Sequence, residues 1–480
     1  MTLRLTVSPA DDLLDVARRI EVSGAAPGAL VTVRATTDRA GTAWSARATY
    51  RADRSGTVRL DRDPPMTGDY GRVDGMALLT SQRPDPTPGT TVGTAPGRPA
   101  ATDVSRPLRT RLDAWDESDA TQRATADLVQ RWTGPGVRRR EVREDGLVGT
   151  LFVPPGDGPH PTIVVLNGSG GGINEQRGAL YASRGVQALA LGYFGAPGLP
   201  DHITRTPLEY FETALHHVHR ELAPRGGIVV VSGQSRGGEL ALLLGATYPG
   251  LVGAVVAYVP GAHVHGSQGA ADPAQGWDSP TWTLDGEPLP HLWQDNPGVT
   301  WQPWTGGPPP DRYRDVYVDG LRDRRFAAAS RIPVERIAGP VACVSGMADG
   351  LWPSSMYARQ VVETLRAAGH AHETLLLDYP DAGHSIALPH LPVAQGPTRH
   401  PVSGIELSAG GTPAGNAFAD ADSFAQVCAF VARATRVAWP ARRPGAARGP
   451  RPATPRPPAR GRCRDELVDV RRRLARREHR

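Results

Sequence analysis

The chain has 480 residues, 39% of them hydrophobic, and carries a net charge of +5. This length is typical of a large catalytic domain joined to a smaller one, and the apolar content suffices for two cores. No run of eighteen apolar residues is present, which excludes a transmembrane helix. The three cysteines have neither disulfide nor metal-ligand spacing, so we expect no metal and no other cofactor.

The N-terminal residues 1–82 have the pattern of a small all-β sandwich. Short segments, such as 44–50, alternate apolar and polar residues and are separated by turn-forming residues. The first nine residues lack the apolar segment of a signal peptide. The cysteines lack disulfide spacing and Cys343 lies in a predicted buried strand, so we expect a reducing, cytoplasmic environment. Residues 83–135 are rich in Pro and Thr and are predicted to form a linker, with a short helix at 121–132.

Residues 136–435 are predicted to form a doubly wound, mostly parallel α/β sheet, because apolar strands alternate with helical stretches. The strand at 162–166 is followed by a glycine-rich loop at 167–172. Such a loop can bring backbone amides close to a developing oxyanion, so we expect Ser169 and Gly170 to form part of an oxyanion hole. A phosphate-binding loop is the alternative, but the loop lacks the P-loop pattern and the chain contains no lysine.

A G-x-S-x-G motif centred on Ser235 lies between an apolar strand at 228–231 and a Leu/Ala-rich helix. This context is that of a nucleophile elbow, in which the flanking glycines permit a sharp, strained turn. We predict that Ser235 is a nucleophile and that the backbone amide of Arg236 donates to the oxyanion. The alternative is an ordinary glycine-rich turn between a strand and a helix.

The segment 263–314 interrupts the α/β pattern with several tryptophans among glycines and prolines. We consider two interpretations: a cover that lines an acyl pocket, and a packed insertion without a ligand role. The tryptophans concerned are Trp277, Trp282, Trp293, Trp301 and Trp304.

Two residues further along the chain complete a catalytic triad. Asp349 and His384 each follow a short apolar strand, and the order Ser, Asp, His is that of α/β-hydrolases. A nucleophilic serine needs a base, and the base needs a carboxylate that orients it. Asp378 and Asp381 are alternative acids, but they lie too close to His384 in sequence to form the usual separate loop.

These residues and their flanks resemble the acyl-CoA thioesterase/bile-acid-CoA:amino-acid N-acyltransferase family. The resemblance runs from about residue 7 to residue 432 and includes the stretches 192–200, 207–211, 351–354 and 379–384. It implies an α/β-hydrolase fold preceded by an immunoglobulin-like sandwich, and acyl-CoA as the substrate.

The resemblance also carries the family's nucleophile onto Ser235, its acid onto Asp349 and its base onto His384. Two positions depart from the family pattern. Family members often have paired aspartates where this chain has Ala348 and Asp349. The acyltransferase branch has a cysteine nucleophile, so Ser235 favours hydrolysis of acyl-CoA to a free acid and CoA. An N- or O-acyltransferase, or an ester, lactone or peptide hydrolase, is the alternative.

The positive charge is confined to the C-terminal tail. Residues 436–480 contain fifteen arginines and four acidic side chains, so the rest of the chain is net acidic. The tail is rich in Pro, Arg and Ala and is predicted to be disordered. A nucleic-acid or membrane arm is the alternative, but the tail lacks interleaved aromatic residues, and we expect no nucleic-acid partner.

Overall fold

The structure is a computed structural model that describes residues 2–85, 103–119, 121–299, 314–393 and 396–436. The predictions for Trp301, Trp304 and the tail beyond Arg436 therefore lie outside the described residues, as does part of the predicted linker. No helix within these ranges is long and apolar enough to cross a membrane.

The N-terminal part is built from two packed β-sheets and one short helix. A three-stranded sheet has the order β1-β3-β6, and a second sheet has the order β2-β10-β9-β4-β5-β7, with β8 also paired to β5. The elements are β1 (Arg4–Ser8), β2 (Asp11–Leu13), β3 (Arg19–Ser23), β4 (Leu30–Arg39), β5 (Thr42–Arg51), β6 (Val58–Arg59), β7 (Thr67–Gly68), α1 (Ala77–Thr80), β8 (Arg83–Pro84), β9 (Leu108–Asp116) and β10 (Arg123–Arg131).

The core of this all-β domain is formed by every second side chain along its strands. Val31, Val33 and Ala35 of β4 are fully buried and pack with Ala48 and Tyr50 of the neighbouring strand β5. The polar residues between them lie on the opposite face, as period-two alternation requires.

The predicted helix at 121–132 is wrong, because these residues form strand β10. β10 pairs with β9, and β9 pairs with β4, so both strands belong to the N-terminal sheet. Ala124, Ala126 and Leu128 pack on the core of that sheet with a spacing of two. Pairing with β9 outweighs the helix propensity of the alanines, since tertiary contacts override local preference. The N-terminal sheet thus extends well beyond the predicted boundary at residue 82.

The rest of the described chain forms an eight-stranded sheet with helices on both faces, in the order β11-β12-β14-β13-β16-β17-β20-β21. Strands β11 and β12 are antiparallel to their neighbours, and the other strands are parallel. The sheet strands are β11 (Arg138–Val142), β12 (Val148–Val153), β13 (Thr162–Leu166), β14 (Gln187–Gly192), β16 (Val229–Gln234), β17 (Ala254–Tyr258), β20 (Val341–Gly346) and β21 (Thr374–Tyr379).

Helices and small strands cover this sheet. The helices are α2 (Glu175–Ser183), α3 (Leu208–Glu221), α4 (Arg236–Thr247), α5 (Arg314–Gly320), α6 (Arg324–Ser330), α7 (Ser354–Ala367) and α8 (Pro413–Ala434), with 3₁₀ turns at Glu144–Gly146, Arg225–Gly227 and Val334–Arg336. The small strands are β15 (Thr206–Pro207), β18 (Trp282–Leu284), β19 (Glu287–Pro288), β22 (Thr398–Arg399) and β23 (Glu406–Leu407).

The central strands β13 and β17 are buried along their whole length, as expected when helices cover both faces of a parallel sheet. This is the predicted α/β-hydrolase fold preceded by an all-β domain. Strands β16, β20 and β21 end at the same edge of the sheet, because they are parallel and in register through β17. Ser235, Asp349 and His384 follow these three strands, so the fold gathers them at one edge.

Candidate active site

Ser235 is held in a strained backbone conformation between β16 and α4. Its φ of 57° and ψ of −120° are unusual for a residue with a side chain. A Cβ at Gly233 would overlap the carbonyl group of Gly237, and a Cβ at Gly237 would overlap the carbonyl oxygen of Asn167. Both positions flanking Ser235 therefore require glycine, as the elbow motif predicts.

The structure brings Ser235, His384 and Asp349 into one chain of hydrogen bonds. Ser235 Oγ lies 2.8 Å from His384 Nε2, and His384 Nδ1 lies 2.9 Å from Asp349 Oδ2. With the proton of the neutral imidazole on Nδ1, the ring donates to the carboxylate and accepts from the serine hydroxyl. Each member is therefore placed for the role that the sequence predicts for it.

The second oxygen of the Asp349 carboxylate is also bound. Oδ1 accepts hydrogen bonds from the backbone amides of Leu351 at 2.9 Å and Trp352 at 3.1 Å, and the side chain is only 1% exposed. The alternative acid Asp378 points elsewhere: it binds Ser345 Oγ at 2.8 Å and forms an ion pair with Arg359 at 2.7 Å. Asp349 is thus the carboxylate that contacts the histidine.

The glycine-rich loop predicted to supply the oxyanion hole lies against the nucleophile. A Cβ built on Gly168 would be 3.3 Å from the Cβ of Ser235. The amide of Gly168 is occupied, because it donates to Asn167 Oδ1 at 3.1 Å. The amides of Ser169 and Arg236 make no hydrogen bond to any residue that the structure describes. Two donors are therefore left beside Ser235, where an oxyanion would form.

Comparison with known proteins assigns the family. Residues 15–144 match the family described as the acyl-CoA thioester hydrolase/BAAT N-terminal region, and residues 206–436 match its C-terminal region. The chain belongs to the acyl-CoA thioester hydrolase/BAAT family.

Three relatives in this family are similar over most of their length. Acyl-coenzyme A thioesterase 1 of Mus musculus is 32% identical to this chain, and so is that of Homo sapiens. Each alignment covers 86% of this chain, and it covers 91% of the mouse protein and 92% of the human protein. The mitochondrial acyl-coenzyme A thioesterase 2 of Mus musculus is also 32% identical, over 86% of this chain and 84% of its own.

His400, which the sequence does not single out, lies between β22 and β23 and lines the cleft beside Ser235. Its Nε2 is 2.9 Å from the hydroxyl of Ser169. Its Nδ1 accepts from the amides of Val402 and Ser403, each at 3.3 Å, so the ring proton of the neutral imidazole is on Nε2 and donates to Ser169. His400 does not belong to a recognisable sequence motif. The sequence around it therefore gives no indication that it contacts the loop that contains Ser169.

A buried polar network lies behind the elbow. Glu239 of α4 is fully buried and accepts from Arg236 Nη1 at 2.9 Å, His265 Nδ1 at 2.8 Å and Trp282 Nε1 at 3.0 Å. Burial opposes ionisation of Glu239, but the Arg236 guanidinium and the hydrogen bond from His265 outweigh it and lower the pKa of the carboxyl. Burial lowers the pKa of His265, and the neutral ring contacts Tyr357 OH through Nε2 at 3.0 Å.

The described part of the tryptophan-rich segment combines features of both interpretations. Trp282 is fully buried and Trp293 is 3% exposed, so both are packed into the protein. Trp293 packs in an aromatic cluster with His265, Tyr317 and Trp352, whose rings meet at tilted or edge-on angles. Of this cluster, Tyr317 and Trp352 line a small space next to Ser235. Trp282 and Trp293 thus support the site from behind, as in a packed insertion, whereas Gln268 and Gly269 of the same segment line the space next to Ser235 together with Tyr317 of α5.

A cleft of about 340 Å³ opens next to the nucleophile. Its walls include Ser235, His384, the loop at 167–170 and His400. The nucleophile, the histidine and the loop that carries Ser169 and Gly170 therefore face the same accessible space, as an acyl-transfer site requires, whereas Asp349 is buried behind His384.

Proposed function

We propose that this chain is an acyl-CoA thioesterase that hydrolyses acyl-CoA to a free acid and CoA through a Ser235–His384–Asp349 triad. The observation that carries the proposal is the hydrogen-bonded triad on a strained elbow, in a chain whose family includes acyl-coenzyme A thioesterases at 32% identity. The accessible cleft beside Ser235 supports the same conclusion.

The first half of the reaction forms an acyl-serine. Ser235 Oγ attacks the thioester carbonyl carbon while His384 Nε2 takes the hydroxyl proton. Asp349 holds the imidazole in the required tautomer and stabilises the imidazolium. The amide of Arg236 and the loop that contains Ser169 and Gly170 donate hydrogen bonds to the oxyanion. The C–S bond breaks, and His384 returns the proton to the sulfur of CoA.

The second half releases the acid. His384 removes a proton from a water molecule that attacks the acyl-serine carbonyl, and the same oxyanion donors stabilise the second tetrahedral intermediate. Collapse of this intermediate breaks the ester bond and returns the proton to Ser235. Water is favoured over an amine acceptor because a serine acyl-enzyme is an oxygen ester, which amines attack more slowly than a thioester.

We also propose a reducing compartment such as the cytoplasm. Cys343 and Cys428 are free cysteines in the described part of the chain, and Cys343 is fully buried, where desolvation raises its pKa to about 12. A buried neutral thiol is a packing residue and needs no oxidising environment.

The test is thiol release from a panel of acyl-CoA substrates of increasing chain length, with and without glycine or taurine. We expect free acid and CoA from the wild type and no measurable product from Ser235→Ala, which lacks only the nucleophilic hydroxyl. Turnover that persists in Ser235→Ala would remove Ser235 from its role. Mainly N-acyl amino acid from the wild type would show a transferase.

A further inference from the structure

The first turns of helix α8 contact the loop that carries His384. Asn416 Oδ1 accepts a hydrogen bond from the amide of Gly383 at 2.7 Å, and Asp420 Oδ1 accepts one from the amide of Ala387 at 2.6 Å. Because Asn416 and Asp420 are four residues apart, they lie on the same face of the helix. The two side chains thus bind the backbone on both sides of His384.

We propose that Asn416 and Asp420 are positioning residues that hold His384 in line between Ser235 and Asp349. The inference rests on the proposed function, in which His384 is the general base. The imidazole must keep contacts of 2.8 Å and 2.9 Å to two residues on different loops. A displacement of about 1 Å in such a site costs on the order of 100-fold in rate.

Asn416 and Asp420 are the side chains of α8 that bind backbone amides of this loop, and the other contacts of its backbone are of different kinds. The amide of His384 itself donates to the carbonyl of Ala409 at 2.8 Å, which no substitution of a side chain removes. Arg177 Nη2 donates to the carbonyl of Ala387 at 2.7 Å and thus binds the next peptide unit of the loop. The amides of Gly383 and Ala387 depend on side-chain oxygens of α8.

Both acceptors are shielded from water, since Asn416 is 1% exposed and Asp420 is 4% exposed. Without its acceptor, a loop amide would have to move to find water or another partner. The loop has little freedom to do so without moving His384, because a Cβ at Gly383 would already overlap the backbone of Gly410. Loss of either acceptor is therefore expected to shift the histidine.

The environment of Asp420 indicates what its side chain supplies. Burial raises its pKa to about 8, although the Ala387 amide and Arg177 act in the opposite direction. The side chain is largely uncharged near neutral pH, so its contribution at Oδ1 is a hydrogen-bond acceptor and not a negative charge. An asparagine at this position keeps such an acceptor, whereas a leucine of similar volume does not.

The experiment compares Asp420→Asn, Asp420→Leu and Asn416→Leu with the wild type, and Ser423→Ala is the matched control. Ser423 lies on the same helix and is fully buried, and its hydroxyl has no hydrogen-bond partner among the described residues. We measure kcat, KM and melting temperature. Both leucine variants are expected to lose about 10- to 100-fold in kcat with little change in KM. Asp420→Asn and Ser423→Ala are expected to retain wild-type kcat.

A second readout does not depend on turnover. The proton shared by His384 Nδ1 and Asp349 is expected to give a far-downfield proton NMR signal, because it lies in a short, buried hydrogen bond to a carboxylate. We expect the signal to shift or broaden in the leucine variants and to stay in place in Asp420→Asn and Ser423→Ala.

Wild-type kcat in folded leucine variants would overturn the proposal, as would an Asp420→Asn variant as impaired as Asp420→Leu. A lower melting temperature with unchanged kcat and NMR signal would also overturn it, because the role would then be structural. If Asp420→Leu does not fold, Asn416→Leu decides by the same criteria. Failure of the proposed function has a different signature: activity that persists in Ser235→Ala.

Discussion

Ser169 and His400 are 231 residues apart in sequence, but Ser169 Oγ and His400 Nε2 lie 2.9 Å apart. This hydrogen bond joins the loop that follows β13 to the segment between β22 and β23. Both residues line the cleft that contains Ser235. The contact thus braces the loop whose Ser169 amide we propose as an oxyanion donor.

His400→Ala should therefore lower kcat/KM by about two- to tenfold, the usual worth of one hydrogen bond to a neutral group. Ser169→Ala removes the same bond from the other side and should have a similar effect. We expect the double variant to be no worse than either single variant, because both remove one interaction. Steady-state kinetics of the three variants test this, and fully additive losses would show that the two residues act independently.

Ser235→Cys should slow hydrolysis and raise the fraction of acyl groups captured by glycine or taurine. The acyl-enzyme becomes a thioester, which amines attack faster than they attack an oxygen ester. Product analysis with millimolar amino acid checks the partition. Ser235→Ala is the control, and it should lose on the order of a million-fold in kcat. Equal partition in wild type and Ser235→Cys would contradict the leaving-group argument.

Gly237→Ala should destabilise the protein by about 2 kcal/mol or more, because the added methyl group overlaps the Asn167 carbonyl and strains the elbow. Gly71→Ala is the matched control, since no atom lies within 4 Å of a Cβ at that position. It should be neutral or slightly stabilising. Chemical denaturation of both variants measures the difference, and equal stabilities would show that the elbow relaxes at no cost.

Glu239→Gln should reduce the free energy of unfolding by about 3–5 kcal/mol at neutral pH, because it leaves the buried Arg236 guanidinium without its counter-charge. The pKa of Glu239 is lower in the folded state than in the unfolded state. Its contribution to stability is therefore fully present above the pKa of an unfolded glutamate and is lost progressively as the pH falls from there through the lower pKa of the folded state.

The free energies of unfolding of wild type and Glu239→Gln should accordingly converge as the pH is lowered from 7 towards 3. Glu335→Gln is the control, because the Arg331–Glu335 ion pair lies at the surface. It should change stability by less than about 1 kcal/mol. A difference between wild type and Glu239→Gln that stays constant with pH would show that Glu239 is not ionised in the fold.

The local sequence around Ser235 predicts its own geometry. A strand, a G-x-S-x-G motif and a helix in succession are typical of the sharp turn that exposes a nucleophile. The backbone is closely packed at this turn, because a Cβ at Gly233 or Gly237 would overlap neighbouring carbonyl groups. The positions of Asp349 and His384 follow from the same kind of information. Each comes after an apolar strand, and parallel strands end at one edge of a sheet. The α/β-hydrolase fold and the candidate triad were therefore predictable from the sequence.

Only the tertiary structure decided the rest. Residues 123–131 form a strand because their backbone pairs with that of β9. The local sequence of this alanine-containing segment does not indicate that pairing. His400 contacts Ser169, although the two residues are far apart in the sequence. Asn416 and Asp420 likewise contact the loop of His384. No sequence motif includes both partners of any of these contacts. Their placement depends on how separate loops pack around one edge of the sheet. Local patterns determine backbone conformation, whereas contacts between distant segments arise only when the whole chain has packed.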